Sequence, residues 1–217
     1  MLVERSMDPR WLSNAYLVAD QEGGTAVYVD SGAPLEPLRR TAERWRVEPV
    51  AVLRTHSHHD HVANEADLGL PVRTDGFSAG GLRIDAIPTP GHSDDMVAFV
   101  VNEDAVFSGD TLFKDAVGGG DFEQIRSAVM DVFMAMPHER RVLPGHTDET
   151  TIGQEWQRNP FVRVWRGVEP EGTERVRVGG REATLVVWSP DYDGKGKAWV
   201  RFDDGEDAIV GGSRVER

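Results

Sequence analysis

The arrangement of apolar and polar residues over the first 53 positions predicts two strands, a helix and a third strand. Residues 14–19 and 25–30 are strand-like stretches, and the Gly23-Gly24 turn between them predicts an antiparallel pair. Over residues 35–45 the apolar side chains recur every three or four positions, which predicts an amphipathic helix. The apolar run Val50–Leu53 predicts a buried strand that ends beside a histidine-rich loop.

Further strands are predicted at 82–87, 96–101, 105–107 and 141–143. Each of them leads into a loop that carries a histidine or an aspartate. Strands interleaved with helices predict an α/β fold, and such folds place their chemistry in the loops at strand ends. These loops are therefore the first place to look for a functional site.

Two more helices are predicted in the second half of this region. Asp121 is expected to cap the first, with Gln124 reaching back to it. The second is expected to be the last helix, beginning at Thr151 and ending before Asn159. The first helix carries one apolar stripe that is expected to face the core, formed by Phe122, Ile125, Val129, Val132, Phe133 and Met136.

The pattern changes after about residue 167, where short alternating stretches are separated by glycine-rich turns. We therefore predict a catalytic domain over 1–166 and a small β-barrel-like module of four or five strands over 167–217. The module is expected to add no metal ligand and to adjust substrate access or self-association. Trp188 and Tyr192 either form an exposed aromatic patch or, as we prefer, pack against the larger domain. The predicted strands of the module lie at 176–178, 183–188, 197–202 and 208–210.

Composition narrows the chemistry and the partners. None of the 217 residues is a cysteine, which excludes disulfides, thiolate metal sites and a cysteine nucleophile. The formal net charge of -13 argues against a nucleic-acid partner, because such binding depends on Lys and Arg. No apolar run approaches the roughly 18 residues needed to span a bilayer. The first ten residues lack the apolar stretch of a signal peptide, so we expect a soluble, cytoplasmic protein without a membrane partner.

The densest group of chemistry-bearing residues is the segment 55–61, Thr-His-Ser-His-His-Asp-His. Residues two apart in an extended loop face the same way, so His56, His58 and Asp60 are expected to converge. His61 is expected to turn inward as a helix begins. The side chain of His59 should point elsewhere.

Three other loops complete the constellation. His92 and His146 each follow a Pro-Gly turn after a predicted strand. Asp110 follows the strand at 105–107, and its two oxygens are suited to bridge two cations about 3.5 to 4 Å apart. Asp30, at the end of an earlier strand, is expected to support the ligand loop from behind. His138 is interpreted as a solvated turn residue.

The order and spacing of these residues resemble the metallo-β-lactamase superfamily, and within it the glyoxalase II-like branch, over about residues 10–163. The resemblance implies a four-layer αββα sandwich with a binuclear metal centre at one edge. It implies two divalent ions, zinc first, with iron or manganese also compatible. One metal would be held by His56, His58 and His92. The other would be held by Asp60, His61 and His146, with Asp110 and a hydroxide between the two.

The same resemblance implies a metallo-hydrolase that cleaves a small acyl-thiol or ester substrate, with Asp60 as the base or as a ligand only. Asp94-Asp95-Met96 replaces the usual Pro-Gly-Ser, and the segment 114–121 lacks the family's Gly-Arg loop, so the substrate pocket does not transfer. Alternatives are a mononuclear non-haem iron persulfide dioxygenase and a lactonase or nuclease of the same superfamily. A non-catalytic scaffold would predict eroded ligands. Homo-oligomerisation is left open.

Overall fold

Two β-sheets pack face to face in the computed structural model, which describes residues 1–217. The first sheet has the order β1-β2-β3-β4-β5, antiparallel from β1 to β3 and parallel from β3 to β5. The predicted pair at residues 14–19 and 25–30 is present, and an additional edge strand precedes it. The strands are β1 (Leu2–Met7), β2 (Asn14–Ala19), β3 (Thr25–Val29), β4 (Glu48–Leu53) and β5 (Val72–Arg73).

The second sheet has six strands in the order β13-β12-β9-β8-β7-β6. Strands β9 and β12 pair in parallel, and all other neighbours are antiparallel. A two-stranded hairpin, β10 (Leu112–Phe113) and β11 (Ala116–Val117), lies outside it. The six strands are β6 (Phe77–Ala79), β7 (Leu82–Pro88), β8 (Val97–Val101), β9 (Ala105–Gly109), β12 (Arg141–Pro144) and β13 (Thr150–Thr151).

The predicted helices begin and end close to the expected positions, and two short helices, at Glu65–Leu68 and Pro160–Trp165, are additions. The Asp121 carboxylate accepts a hydrogen bond from the Gln124 backbone N–H, as a cap should. Asn159 does not end the last helix, because its side chain accepts from the N–H groups of Phe161 and Val162 and so starts another. The helices are α1 (Glu36–Trp45), α2 (His59–Val62), α3 (Glu65–Leu68), α4 (Phe122–Ser127), which continues into a π-helical segment at Ala128–Phe133, α5 (Ile152–Arg158) and α6 (Pro160–Trp165).

Three apolar layers hold the sandwich together. Leu38 and Ala42 of α1 pack on the outer face of the first sheet. Phe99, Phe107 and other side chains fill the space between the sheets. The stripe of α4 and the π-helical segment covers the outer face of the second sheet. This is the predicted four-layer αββα architecture, and no helix in it is long and apolar enough to cross a bilayer.

The C-terminal residues form a curled antiparallel sheet of order β17-β16-β15-β14-β18. Its two edge strands are joined only by the 3-10 turn Gly212–Arg214, so the sheet must curl to bring its edges together. This confirms the predicted all-β appendage. The strands are β14 (Glu174–Val178), β15 (Arg181–Ser189), β16 (Lys197–Phe202), β17 (Asp207–Gly211) and β18 (Val215–Glu216).

The two faces of the C-terminal sheet have different partners. One face encloses a small core of its own that includes Val178 and Phe202. A register shift between Leu185 and Val187 turns the chain so that Val187 joins the core of the sandwich beside α4 and α6. The sheet therefore rests on the helical layer of the sandwich. The division into domains at residue 166 stays a prediction.

Candidate metal centre

Asp30 connects the two ends of the histidine-rich loop. Its buried carboxylate accepts hydrogen bonds from the Thr55 N–H and the Thr55 hydroxyl, both at 2.8 Å. The same carboxylate lies 2.9 Å from Nδ1 of His61, at the start of α2. Because a carboxylate only accepts, the shared proton lies on Nδ1, and the Nε2 lone pair of His61 points away from Asp30. Asp30 thus makes the contacts that the predicted supporting role requires.

His56, His58 and His92 converge at the end of β4. Nδ1 of His58 lies 3.1 Å from Nε2 of His56 and 2.9 Å from Nε2 of His92. The hydroxyl of Thr55 already donates to Asp30, so it accepts from Nδ1 of His56 at 3.0 Å. Nδ1 of His92 donates to the Gly119 carbonyl at 2.8 Å. Nδ1 of His56 and Nδ1 of His92 are therefore protonated, which leaves the Nε2 lone pairs of both rings facing His58.

Asp60, His61 and His146 form a second group beside the first. Oδ2 of Asp60 lies 3.6 Å from Nε2 of His61 and 3.5 Å from Nε2 of His146. His146 donates from Nδ1 to the Leu12 carbonyl at 2.9 Å, so its Nε2 also faces inward. The side chain of Asp60 is 29% exposed, whereas both histidines are buried. Asp60 is thus the member of this group that solvent and a substrate can reach.

Asp110 lies between the two groups. Its Oδ1 is 3.4 Å from Nε2 of His61, while its Oδ2 is 3.3 Å from Nε2 of His146 and 3.6 Å from Nε2 of His92. Asp110 follows the last residue of β9, Gly109, which has a positive φ of 48° that turns the chain toward the site. One carboxylate therefore contacts members of both groups, as the bridging position requires.

The donor atoms fit divalent metal ions. Nε2 of His61 and Oδ1 of Asp110 are buried and have no hydrogen-bond partner in the protein. A buried polar atom without a partner costs about 1–3 kcal/mol, so such atoms in a native site indicate an additional ligand. Imidazole nitrogens and carboxylate oxygens are donors that zinc, iron and manganese accept. The donor atoms form three triplets, and within each triplet the atoms lie within 4.8 Å of one another. The triplets are His56, His58 and His92; His56, His61 and Asp110; and Asp60, His61 and His146.

Without a bound metal, the histidines of the two groups differ in their pKa values. Burial and the neighbouring His61 lower the pKa of His56 to about 4. Burial also acts to lower the pKa of His146, but the Asp110 carboxylate outweighs it and raises that pKa to about 9. The pKa of Asp110 lies well below its usual range, because His61 and His146 outweigh the effect of burial. Without a metal, His146 is therefore protonated near neutral pH, and a metal ion that binds its Nε2 has to displace that proton.

Two histidines lie outside the centre, as the sequence predicts. His59 is exposed and its ring contacts Trp11, with 5.1 Å between ring centroids. His138 is exposed in a turn and its ring lies 5.9 Å from that of Trp156. Neither approaches the grouped donor atoms.

Sequence reasoning missed two features of the centre. A Cβ at Gly145 would collide with Oδ1 of Asp110 and lie 2.8 Å from Cε1 of His61, so only glycine permits this close approach. Tyr192 of the C-terminal sheet stacks on the ring of His146, with centroids 4.0 Å apart and an interplanar angle of 7°. The preferred prediction that Tyr192 packs against the larger domain is confirmed, but nothing in its local pattern indicates contact with this centre. Trp188, by contrast, is 39% exposed.

Known proteins are similar to this chain in sequence and in fold. No family model matches the chain. An uncharacterized protein of Mycobacterium tuberculosis is 31% identical, over 69% of this chain and 92% of the relative. The structure of TTHA1623 in a di-iron-bound form is 31% identical, with a TM-score of 0.60 over 72% of this chain and 98% of that one. The BLEG-1 B3 metallo-β-lactamase is 25% identical, with a TM-score of 0.67 over 74% and 99% of the two chains. The chain belongs to the metallo-β-lactamase superfamily.

Named relatives place this superfamily member among the metallo-hydrolases. A protein of Bacillus velezensis named "Probable polyketide biosynthesis zinc-dependent hydrolase BaeB" is 28% identical, over 68% of this chain and 78% of the relative. The structure of ETHE1 from Myxococcus xanthus is 26% identical, with a TM-score of 0.64 over 75% of this chain and 84% of that one. The matched part of the chain is about the size of the sandwich that carries the candidate centre.

Proposed function

We propose that this metallo-β-lactamase superfamily member is a two-metal hydrolase that cleaves a small thioester or ester, in the manner of glyoxalase II. The observation that carries the proposal is the position of Asp110. Its two oxygens lie 3.3–3.6 Å from ring nitrogens that belong to both donor groups. A carboxylate in that position suits a shared ligand of two cations, and paired cations are typical of hydrolytic sites.

The proposed ligands follow the two groups. His56, His58 and His92 would hold one ion, and Asp60, His61 and His146 the other, with Asp110 shared. When bound, two such ions lower the pKa of a shared water toward neutrality and so supply a nucleophile for a carbonyl carbon. Zinc is our first choice of metal, and the name of the Bacillus velezensis relative supports it.

The residues of the chain orient this chemistry. Asp30 and Thr55 hold two of the histidine rings in the tautomer that leaves Nε2 free. Asp60 is the partly exposed carboxylate of the centre, so we assign it the transfer of the proton from the attacking water toward the leaving thiol or alcohol. The products are then a carboxylic acid and a free thiol or alcohol.

A second candidate function is a mononuclear iron dioxygenase that acts on a glutathione persulfide. The similarity to ETHE1 from Myxococcus xanthus favours it, because relatives of that kind keep the same histidine and aspartate pattern while using one iron. It differs from the hydrolase in consuming oxygen and in requiring a single iron.

A parallel assay decides between the two functions. The metal-loaded protein is offered S-lactoylglutathione, S-acetyl-N-acetylcysteamine and a γ-lactone, while a second set of reactions records oxygen uptake with glutathione persulfide. We expect release of free thiol, abolished by a chelator and restored by zinc. Oxygen uptake with one iron per chain and no thioester cleavage would instead establish the dioxygenase.

A further inference from the structure

Tyr192 brings the C-terminal sheet into the candidate metal centre. It lies in the loop between β15 and β16 and stacks face to face on His146, with centroids 4.0 Å apart. Phe113 of the hairpin β10-β11 lies roughly perpendicular to both rings, 5.7 Å from Tyr192 and 5.8 Å from His146, so it contacts both members of the stack. Stacking fixes the plane of the ring. The hydrogen bond that Tyr192 makes is from its backbone N–H to the Asp191 carboxylate, and its hydroxyl makes none within the protein.

Two contacts fix the loop that carries Tyr192. The ammonium group of Lys197 lies 3.0 Å from the Asp191 carboxylate, and both side chains are less than a tenth exposed. The Ser189 hydroxyl donates a hydrogen bond to the Asp115 carbonyl, just after the hairpin strand β10. A buried ion pair and a hydrogen bond shielded from water both require a defined geometry, so these contacts hold the loop in one position.

A cavity of about 340 Å³ opens beside the stacked pair. Leu12 and Thr147 lie on its wall and flank His146, since the Leu12 carbonyl accepts the Nδ1 proton of His146 and Thr147 follows it in sequence. Tyr192 and Pro190 line the cavity together with Arg5 and Met7 of β1, whereas the seven proposed ligands do not line it. The volume is at the small end of pockets that bind organic ligands, and five of the ten lining residues are charged, so the cavity suits a short acyl or thiol chain that carries polar groups.

We propose that Tyr192 forms the wall of the substrate pocket next to the metal centre and that its hydroxyl donates a hydrogen bond to an oxygen of the bound thioester or ester. The C-terminal sheet thereby completes the active site that the sandwich supplies with metal ligands. This inference rests on the proposed hydrolase function. The proposed role differs from a packing role, in which the ring of Tyr192 would cover His146 and its hydroxyl would make no contact with substrate.

The variant Tyr192→Phe separates these two roles, because phenylalanine keeps the stack and removes only the hydroxyl. We expect kcat/KM for the best thioester to fall about tenfold or more, the cost of one lost substrate hydrogen bond. The number of metals per chain and the Tm should be unchanged. Trp188→Phe, an exposed aromatic of the same sheet, is the matched control and should retain full kcat/KM.

A binding measurement makes the test independent of turnover. The chain has three tyrosines, and Tyr16 and Tyr28 are each 3% exposed, so Tyr192 is the only one that a ligand can reach. In the zinc-loaded protein carrying 3-fluorotyrosine, the resonance absent from Tyr192→Phe belongs to Tyr192. We expect addition of S-acetyl-N-acetylcysteamine or its thiol product to shift that ¹⁹F resonance and leave the other two in place.

The outcomes separate this inference from the proposed function. A shift of the Tyr192 resonance in a protein that hydrolyses no thioester would remove the hydrolase function and retain Tyr192 as a pocket wall. Hydrolysis that is unchanged in Tyr192→Phe, with no shift of the resonance at substrate concentrations above KM, would overturn the inference and leave the hydrolase standing. A slower Tyr192→Phe together with a shifted resonance supports both.

Discussion

The substitution Asp30→Asn tests how the centre is supported. Asp30 accepts from the N–H and hydroxyl of Thr55 and from Nδ1 of His61 at 2.8–2.9 Å. Asparagine keeps one acceptor oxygen but turns the other position into a donor, which opposes either Nδ1–H of His61 or the backbone N–H of Thr55. In the first orientation His61 loses its bond or moves its proton to Nε2, the atom proposed to bind metal. In the second orientation the loop that carries His56 loses its backbone hydrogen bond. Loss of such a support lowers metal affinity about 10- to 100-fold, or roughly 1.4–2.7 kcal/mol.

The assay is competition for zinc with a chromogenic chelator, read beside urea unfolding of the metal-free protein. We expect weaker zinc binding in Asp30→Asn and a loss of about 1.5–3 kcal/mol in the free energy of unfolding, the range for hydrogen bonds to a charged group. Asp8→Asn is the control. Asp8 is buried like Asp30, but its Oδ1 alone accepts the backbone N–H groups, an oxygen that asparagine can replace, and its Oδ2 faces only the exposed Arg10 at 3.6 Å. If Asp30→Asn binds zinc as tightly as Asp8→Asn, the supporting role assigned to Asp30 is wrong.

Three further predictions concern the backbone, the buried charges and pH. Gly145→Ala should weaken zinc binding in the chelator assay, because its Cβ would meet Asp110 and lie 2.8 Å from the ring of His61. Lys197→Met should lower the free energy of unfolding in urea by about 3–5 kcal/mol, since it leaves the Asp191 carboxylate buried without its cation. Burial raises the pKa of Glu155, despite hydrogen bonds from Thr150 and Asn159, so its contribution to stability is full below its unfolded pKa and is lost as pH rises through the folded value. His56 and His146 also titrate in this range, so the test is the difference between two proteins: the free energy of unfolding of the wild type minus that of Glu155→Gln, measured in urea, should decrease as pH rises from roughly 4 to 7.

The sequence pattern predicted most of the sandwich because its layers follow simple periodicities. The apolar stripe from Phe122 onward packs as expected, yet the helix changes to π-helical geometry at Ala128, which a pattern of period 3.6 does not distinguish. The edge strand Leu2–Met7 was missed because its charged residues mask the alternation. Helix α6 was missed because Asn159-Pro160 indicates the end of one helix as readily as the start of another.

The candidate centre was more predictable than the pocket around it. Five of the proposed ligands stand in loops that follow strands, and Asp60 and His61 lie in the short helix α2 that follows the first of these loops. Strand ends that neighbour one another meet in space, so local sequence predicted that these residues converge, whereas their division into two groups came from the resemblance to the superfamily. Tyr192 reaches His146 only because the C-terminal sheet packs on the helical layer through Val187 and Trp199. That contact depends on the docking of two units that are distant in sequence, and no local periodicity encodes it.

The central claim is a hydrolase whose activity depends on two metals held by one shared aspartate. The most direct test is to titrate the metal-free protein with zinc while recording thioester hydrolysis and bound metal together. We expect activity to rise to a plateau near two zinc ions per chain. We expect Asp110→Ala to weaken both binding events and His59→Ala, outside the centre, to follow the wild type. A plateau at one ion per chain, or equal metal loss in Asp110→Ala and His59→Ala, would contradict it.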